Sequence, residues 1–231
     1  MLIRLRESAE DTVETIGKGD VHYRVDNVFG HVTENRPGPQ VFLVHQAAGD
    51  ITAPHYHAVP QFQVFTTGEG RFGRSSVTTP AIHYADAWTS YGPIIAGERG
   101  IDYFTARVHA DVGAKYMPES RKLKPHRSGR HFTVTLAASP RPGLRTLIEP
   151  HDDGLAAYQC SITAGQSLKL PAPRGSGRLL TILTGTLLAG GHHFAQWSWG
   201  HVEDAAASAG WVAGAEGATV LCFDYPAFAL S

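Results

Sequence analysis

The reading of this chain turns on Gly49-Asp50-Ile51-Thr52-Ala53-Pro54-His55-Tyr56-His57-Ala58-Val59-Pro60-Gln61, continued by Phe62-Gln63-Val64-Phe65-Thr66-Thr67 and closed by Gly68. Residues i and i+2 of a strand point to the same side, so His55 and His57 offer two imidazoles to one point. Ala58 to Pro60 reads as a turn, after which Gln61 arrives from the next strand with Gln63 on the same face. Two imidazoles and an oxygen donor on one wall of a barrel make a three-sided set of the kind that holds a divalent metal.

The spacing of that stretch is Gly, five residues, His-x-His, three residues, a polar residue, six residues, Gly. It resembles the first motif of the cupin family, with Pro54 ahead of it and Gly68 and Gly70 after it. Gln61 stands where the family usually has Glu. The resemblance implies an antiparallel jelly-roll barrel with the metal inside, and His55, His57 and Gln61 as its ligands. The second motif of the family, Pro-x-Gly-x-x-His, overlays only poorly on Asp86-Ala87-Trp88-Thr89-Ser90-Tyr91. That overlay sets Trp88 at the Gly and Tyr91 at the ligand His. His83 is the rival for a fourth ligand or an acid/base group.

Composition narrows the class. In 231 residues the net charge is −1, which gives no electrostatic footprint for nucleic acid or for an anionic membrane surface. Thirteen histidines stand out, although most are expected on surfaces and loops. Cys160 and Cys222 form no Cys-x-x-Cys motif and no disulfide framework. The start, Met1-Leu2-Ile3-Arg4-Leu5-Arg6-Glu7, carries no apolar run of signal-peptide length, and no stretch reaches the length of a membrane span. The expectation is a cytoplasmic, soluble chain.

Working outward, Val41 to Gln46, Gln61 to Thr66 and Ile101 to Val108 alternate as strands, and turn signals separate many other short ones. The fold expected is all-β, a sandwich or barrel. Residues 109 to 130 change character, with Arg121, Lys122, Lys124, His126, Arg127 and Arg130, and read as a basic solvated connector. From Phe132 the strand pattern restarts, and it repeats the first half. Gly165 corresponds to Gly49, Pro171 and Pro173 to His55 and His57, Arg178 falls near Gln61, and Gly185 corresponds to Gly68. Proline offers no ligand atom and arginine cannot donate to a cation, so the second copy is expected to be free of metal. His193 and His201 lie eight residues apart on an extended chain, about 26 Å, too far to share an ion.

The chain therefore resembles a bicupin, two antiparallel jelly-roll barrels. The expected divisions are 1–110 with the candidate site, 111–130 as linker, and 131–231 as a degenerate barrel. The resemblance implies a homodimer paired through strand edges. It also implies a metal-dependent enzyme, foremost a dioxygenase acting on a small oxygenated or aromatic molecule such as a catechol, diketone or enediol. The metal would be iron, nickel, manganese, zinc or copper. Gln63, Tyr56 and Trp88 are the expected substrate contacts. An isomerase or lyase, or a ligand-binding or structural bicupin without catalysis, is the alternative. Convergence of His45, His55, His57 and His83 on one point discriminates between these readings.

Overall fold

The computed structural model of the protein describes residues 2–4, 13–18, 21–33, 37–111, 113–125, 129–137, 140–202 and 210–228. They form β1 (Leu2–Arg4), β2 (Val13–Lys18), β3 (Val21–Phe29), β4 (Gln40–Gln46), β5 (Ile51–Thr52), β6 (His55–Tyr56), β7 (Gln61–Phe72), β8 (Ser75–Thr78) and β9 (Ala81–Ala85). There follow β10 (Ile94–Arg107), β11 (Lys115–Tyr116), a 3-10 turn (Glu119–Leu123), β12 (His131–Thr135), β13 (Gly143–Ile148) and β14 (Ala156–Ile162). The last are β15 (Gly177–Ala189), β16 (His192–Phe194), β17 (Trp199–Val202) and β18 (Val212–Tyr225). The fold is all-β, as expected, and among the described residues no helix is long and apolar enough to cross a membrane.

The chain divides into two compact units, Asp11–Ala138 and Met1–Glu10 with Ser139–Ser231. In the first, one sheet runs β12-β9-β7-β10-β4-β3-β2, with β5 on β10, β8 on β7, and a small β11-β6 ribbon beside it. In the second, the order is β1-β17-β15-β18-β14-β13, with β16 on β15. The repeat is thus a repeat of topology. β7 and β15 each pair with a long closing strand, β10 and β18, and β12 and β1 hold equivalent outer places. All the ladders are antiparallel.

These units do not divide where the sequence reading put the boundaries. β12 was expected to open the second barrel, but it pairs with β9 and completes the first. β1 was expected in the first, but it pairs with β17 and completes the second. The segment read as a connector carries β11, which pairs with β6 beside the histidines. An exposed strand edge pairs with whatever extended segment reaches it, and position along the chain does not reveal which one does.

Two glycines pin the repeat. Gly68 and Gly185 both have a left-handed backbone, φ 80° and 75°. A Cβ at either would strike a carbonyl of the facing strand, Gly100 in one unit and Gly217 in the other. Only glycine meets both demands. In the first unit, alternation along β7 turns Gln61, Gln63 and Phe65 to the inner face. Phe65 joins Phe42, Val44, Ile94 and Tyr103 in the apolar core. Cys160 and Cys222 are free and buried in the core of the second unit.

Candidate functional site

His55 opens the short strand β6 directly after Pro54 and His57 directly follows that strand, and both are buried, at 5 % and 8 % exposure. Their rings lie edge to face with centroids 5.3 Å apart. Each ring is held by its Nδ1. That of His55 donates to the Ala53 carbonyl at 2.8 Å, and that of His57 donates to Asp111 Oδ2 at 2.9 Å. A neutral imidazole that donates through Nδ1 keeps a lone pair on Nε2. Burial brings the His55 pKa down to about 4. It also takes His57 well below its ordinary value, helped by the charge of Arg107 and opposed by Asp111. Both rings are therefore neutral at pH 7.

The two histidines line a cavity of about 430 Å³. Tyr23, Tyr91, Tyr103 and Tyr116 supply aromatic wall, and Gln63, Thr105 and Arg107 add polar groups. Asp111, which also accepts from the Ala58 amide at 3.1 Å, lies beside His57. Burial raises its pKa, but the hydrogen bond and charge of His57, with Arg107 and Lys115, bring it down to about 2. It stays a carboxylate and fixes the His57 tautomer.

Gln61 does not behave as the expected ligand. Its Oε1 accepts from Arg107 Nε at 3.0 Å and from Arg107 Nη2 at 2.8 Å. That fixes the amide with Nε2 toward Tyr91, to whose hydroxyl oxygen it donates. The Arg107 guanidinium is 2 % exposed and also donates through Nη1 to Gln40 Oε1 at 2.6 Å and to the Asp111 carbonyl at 3.0 Å. The one oxygen donor of the expected metal set is thus engaged by a cation, and a divalent ion near the two imidazoles would face the Arg107 charge. Among the described residues, no three His, Cys, Asp or Glu side chains are grouped to hold a metal. The residues present do not fit a three-ligand centre built on Gln61.

Tyr91 lies beside His55. Its backbone pairs with that of His55, and its ring centroid is 4.5 Å from the His55 ring. Burial raises its pKa above the ordinary tyrosine value, so it is a phenol. Since its oxygen accepts from Gln61, its own proton is left for another acceptor. Trp88 has φ 63°, at the place the motif gives to glycine, and a bulky residue holds that conformation under strain.

The remaining expected residues divide. His83 faces inward, with its ring 5.6 Å from that of Tyr91, but its Nδ1 engages Thr133 Oγ1 at 2.9 Å and it does not join the two histidines. His45 is half-buried and bridges Asp26 Oδ2 at 2.9 Å and Asp102 Oδ1 at 3.2 Å, away from the cavity. The four histidines therefore do not converge. Tyr56 and Trp88 are not cavity contacts. The Tyr56 hydroxyl donates to the Ser120 carbonyl at 2.8 Å, and its ring lies 5.8 Å from Trp88. Alternation explains this, because Tyr56 lies between two inward histidines and must point the other way.

Sequence reasoning missed Arg107, Asp111 and Tyr116. Arg107 had a signal, since Tyr103, Thr105 and Arg107 share a face in a closing strand whose other residues are mostly apolar. Asp111 and Tyr116 had none, lying in the stretch read as a connector.

In the second unit the same places hold an ion pair. Arg178 Nε and Nη2 donate to Asp224 Oδ1 and Oδ2 at 2.5 and 2.8 Å, and Nη2 also donates to the Pro171 carbonyl at 2.7 Å. Arg178 corresponds to Gln61, and Asp224, its register partner, corresponds to Arg107.

No protein-family model matches the chain, and no curated protein is similar enough in sequence to match it. Solved structures do match. A putative dioxygenase from Nostoc punctiforme superposes with a TM-score of 0.69 at 10 % identity, covering 100 % of this chain and 87 % of that one. A bacterial pirin from Escherichia coli, solved with nickel(II), gives 0.59 at 12 % identity, covering 98 % and 99 %. The Bacillus subtilis oxalate decarboxylase, described with Mn(II) centres, gives 0.54 at 12 % identity, covering 94 % and 76 %. Together with two antiparallel sheets of matching strand order, these likenesses establish that the chain has the bicupin fold.

Proposed function

We propose that the first unit binds a small molecule carrying neighbouring hydroxyl and carbonyl oxygens, of the enediol, catechol or hydroxy-ketone kind, within its tyrosine-walled cavity. One observation carries this reading. His55 and His57 are tethered through Nδ1, so their Nε2 lone pairs are left to accept hydrogen bonds, while the Gln61 amide leaves Tyr91 a phenolic proton to donate. Two acceptors and one donor suit a ligand that gives its hydroxyl protons to imidazole and receives one at a carbonyl. A cation would meet the Arg107 charge, and an anion, though drawn to Arg107, would meet the two imidazole lone pairs and the Asp111 carboxylate. A neutral oxygenated molecule meets neither penalty. Such a group of bases and acid can also exchange protons between hydroxyl and carbonyl forms of the ligand.

A second reading, a metal-dependent enzyme of the dioxygenase kind, is favoured by the same tethers. Histidines that ligate metals donate their other N–H to a carboxylate or a backbone carbonyl, as His57 and His55 do. Against it stands the Arg107 hold on Gln61. The neighbours described with nickel or manganese support the fold of such a centre and not its ligand set.

The test is calorimetric titration of the chelator-treated full chain with 2-hydroxyacetophenone, beside acetophenone and benzoate. Binding that requires the hydroxyl and is lost in His55→Ala/His57→Ala supports the proposal. Equal affinity for all three probes, or binding that appears only with added metal, overturns it.

A further inference from the structure

A polar row crosses the inner face of the first unit. Thr105 on β10 is the register partner of Gln63 on β7, Gln63 of His83 on β9, and His83 of Thr133 on β12. Two atoms in this row are buried without a hydrogen-bond partner among the described residues, Gln63 Oε1 and His83 Nε2. Their side chains are 2 % and 0 % exposed. Leaving such groups unpaired forfeits their hydration without return, and buried polar atoms in native proteins are paired with protein, water or ligand. Gln63 lines the cavity. His83 stands opposite it, against Phe72 with ring centroids 4.0 Å apart, and Phe72 in turn stacks on Tyr91 at 12°.

We infer that Gln63 Oε1 and His83 Nε2 form a subsite for one hydroxyl group of an aromatic ligand, approached from the side of Gln63, which lines the cavity that holds His55 and His57. This inference rests on the small-molecule reading of that cavity. The chemistry selects the group. Gln63 Oε1 only accepts, so the ligand must donate to it. The Thr133 hydroxyl can donate to His83 Nδ1, which leaves a proton on Nε2 and asks the ligand to accept there. A hydroxyl does both at once. A carboxylate would face the amide oxygen, and an ammonium would face the N–H. The Tyr91 ring, which lines the cavity, offers a face to an aromatic carrier. His83 remains neutral in this setting, because burial, and next the charge of His131, bring its pKa down to about 3.

The experiment follows the histidine side-chain nitrogens of the 15N-labelled full chain by NMR. Phenol and toluene, which differ in the hydroxyl alone, are titrated in turn. Phenol is expected to shift the His83 signals where toluene does not. Gln63→Leu is expected to abolish that shift and weaken phenol binding roughly tenfold, the equivalent of one net hydrogen bond. Gln63→Met, which keeps the side-chain length, replaces it if the leucine variant does not fold. Phenol and toluene acting alike, phenol shifting only His55 and His57, or no response at His83 because water holds the place, each overturns the subsite. Failure of the underlying reading is seen separately, as 2-hydroxyacetophenone leaving the His55 and His57 signals unmoved.

Discussion

Arg107 donates two hydrogen bonds to the single oxygen of Gln61, through Nε and Nη2 at 3.0 and 2.8 Å. The equivalent pair in the second unit, Asp224 and Arg178, has the opposite polarity, with the arginine on the earlier strand and its acceptor on the closing one. In both units a guanidinium thus stands at the place where a metal barrel would bring a ligand. In the second it meets a carboxylate in a bidentate pair. In the first it meets a neutral amide, and its charge also lowers the pKa of Asp111 and of the two histidines beside the cavity.

The metal content of the first unit should follow that charge. Chelator-treated wild-type protein is expected to retain far less than one equivalent of divalent metal on re-addition. The Gln61→Glu/Arg107→Leu variant, which adds a carboxylate and removes the cation, is expected to retain close to one. Mass spectrometry of the metals in both, with His55→Ala/His57→Ala as control, reads the difference. Near-stoichiometric metal in the wild type, lost in the control, would favour the dioxygenase reading instead.

Tyr91→Phe removes both the acceptor for Gln61 Nε2 and the free phenolic proton. It is expected to weaken 2-hydroxyacetophenone binding about tenfold and to lower stability by about 1–3 kcal/mol, because the buried amide hydrogen is left unpaired. Calorimetry and urea denaturation measure the two effects separately. A loss of stability with unchanged affinity would remove Tyr91 from ligand contact.

Stability should fall on acidification. The His83 pKa lies at about 3 in the folded chain against an ordinary 6.5, and that of His55 lies at about 4. Between these values the unfolded chain binds more protons than the folded one. The stabilisation is therefore complete above about pH 6.5 and is lost as the pH falls toward the folded pKa values. The loss expected from one such residue is on the order of 3 kcal/mol. Denaturation at about pH 7.5 and about pH 4.5, with His83→Gln flattening the dependence, checks it. An unchanged slope in the variant would mean that His83 is not protonated on unfolding in that window.

The second unit offers a test of its ion pair. Asp224→Asn should destabilise by about 3–5 kcal/mol, because Arg178 would keep a buried charge without its counterion. Arg178→Met/Asp224→Leu, which removes both charges, should cost much less. Equal losses in the two variants would show that packing around these side chains matters more than their charge.

The local pattern of this chain was legible in its residues. The interval from Gly49 to Gly68 announced the barrel motif, alternation turned Gln61 and Gln63 inward together, and the second set of glycines with Pro171 and Pro173 in place of histidines revealed a repeat without the His pair. Each of these depends on spacing along one strand or one turn, which sequence carries directly. Which atoms meet across strands was settled only by tertiary structure. Parity could aim Gln61 inward but could not say that Arg107, 46 residues on, would take its oxygen. Composition could mark 109 to 130 as a basic connector but could not bring Asp111 to His57 or β11 to β6. Nor could it show that β1 and β12 complete the sheets of the units to which they were not assigned. The side-chain direction of a strand residue is fixed by a period of two, whereas its partners are fixed by register and by which edge a distant segment reaches, and those depend on the whole fold.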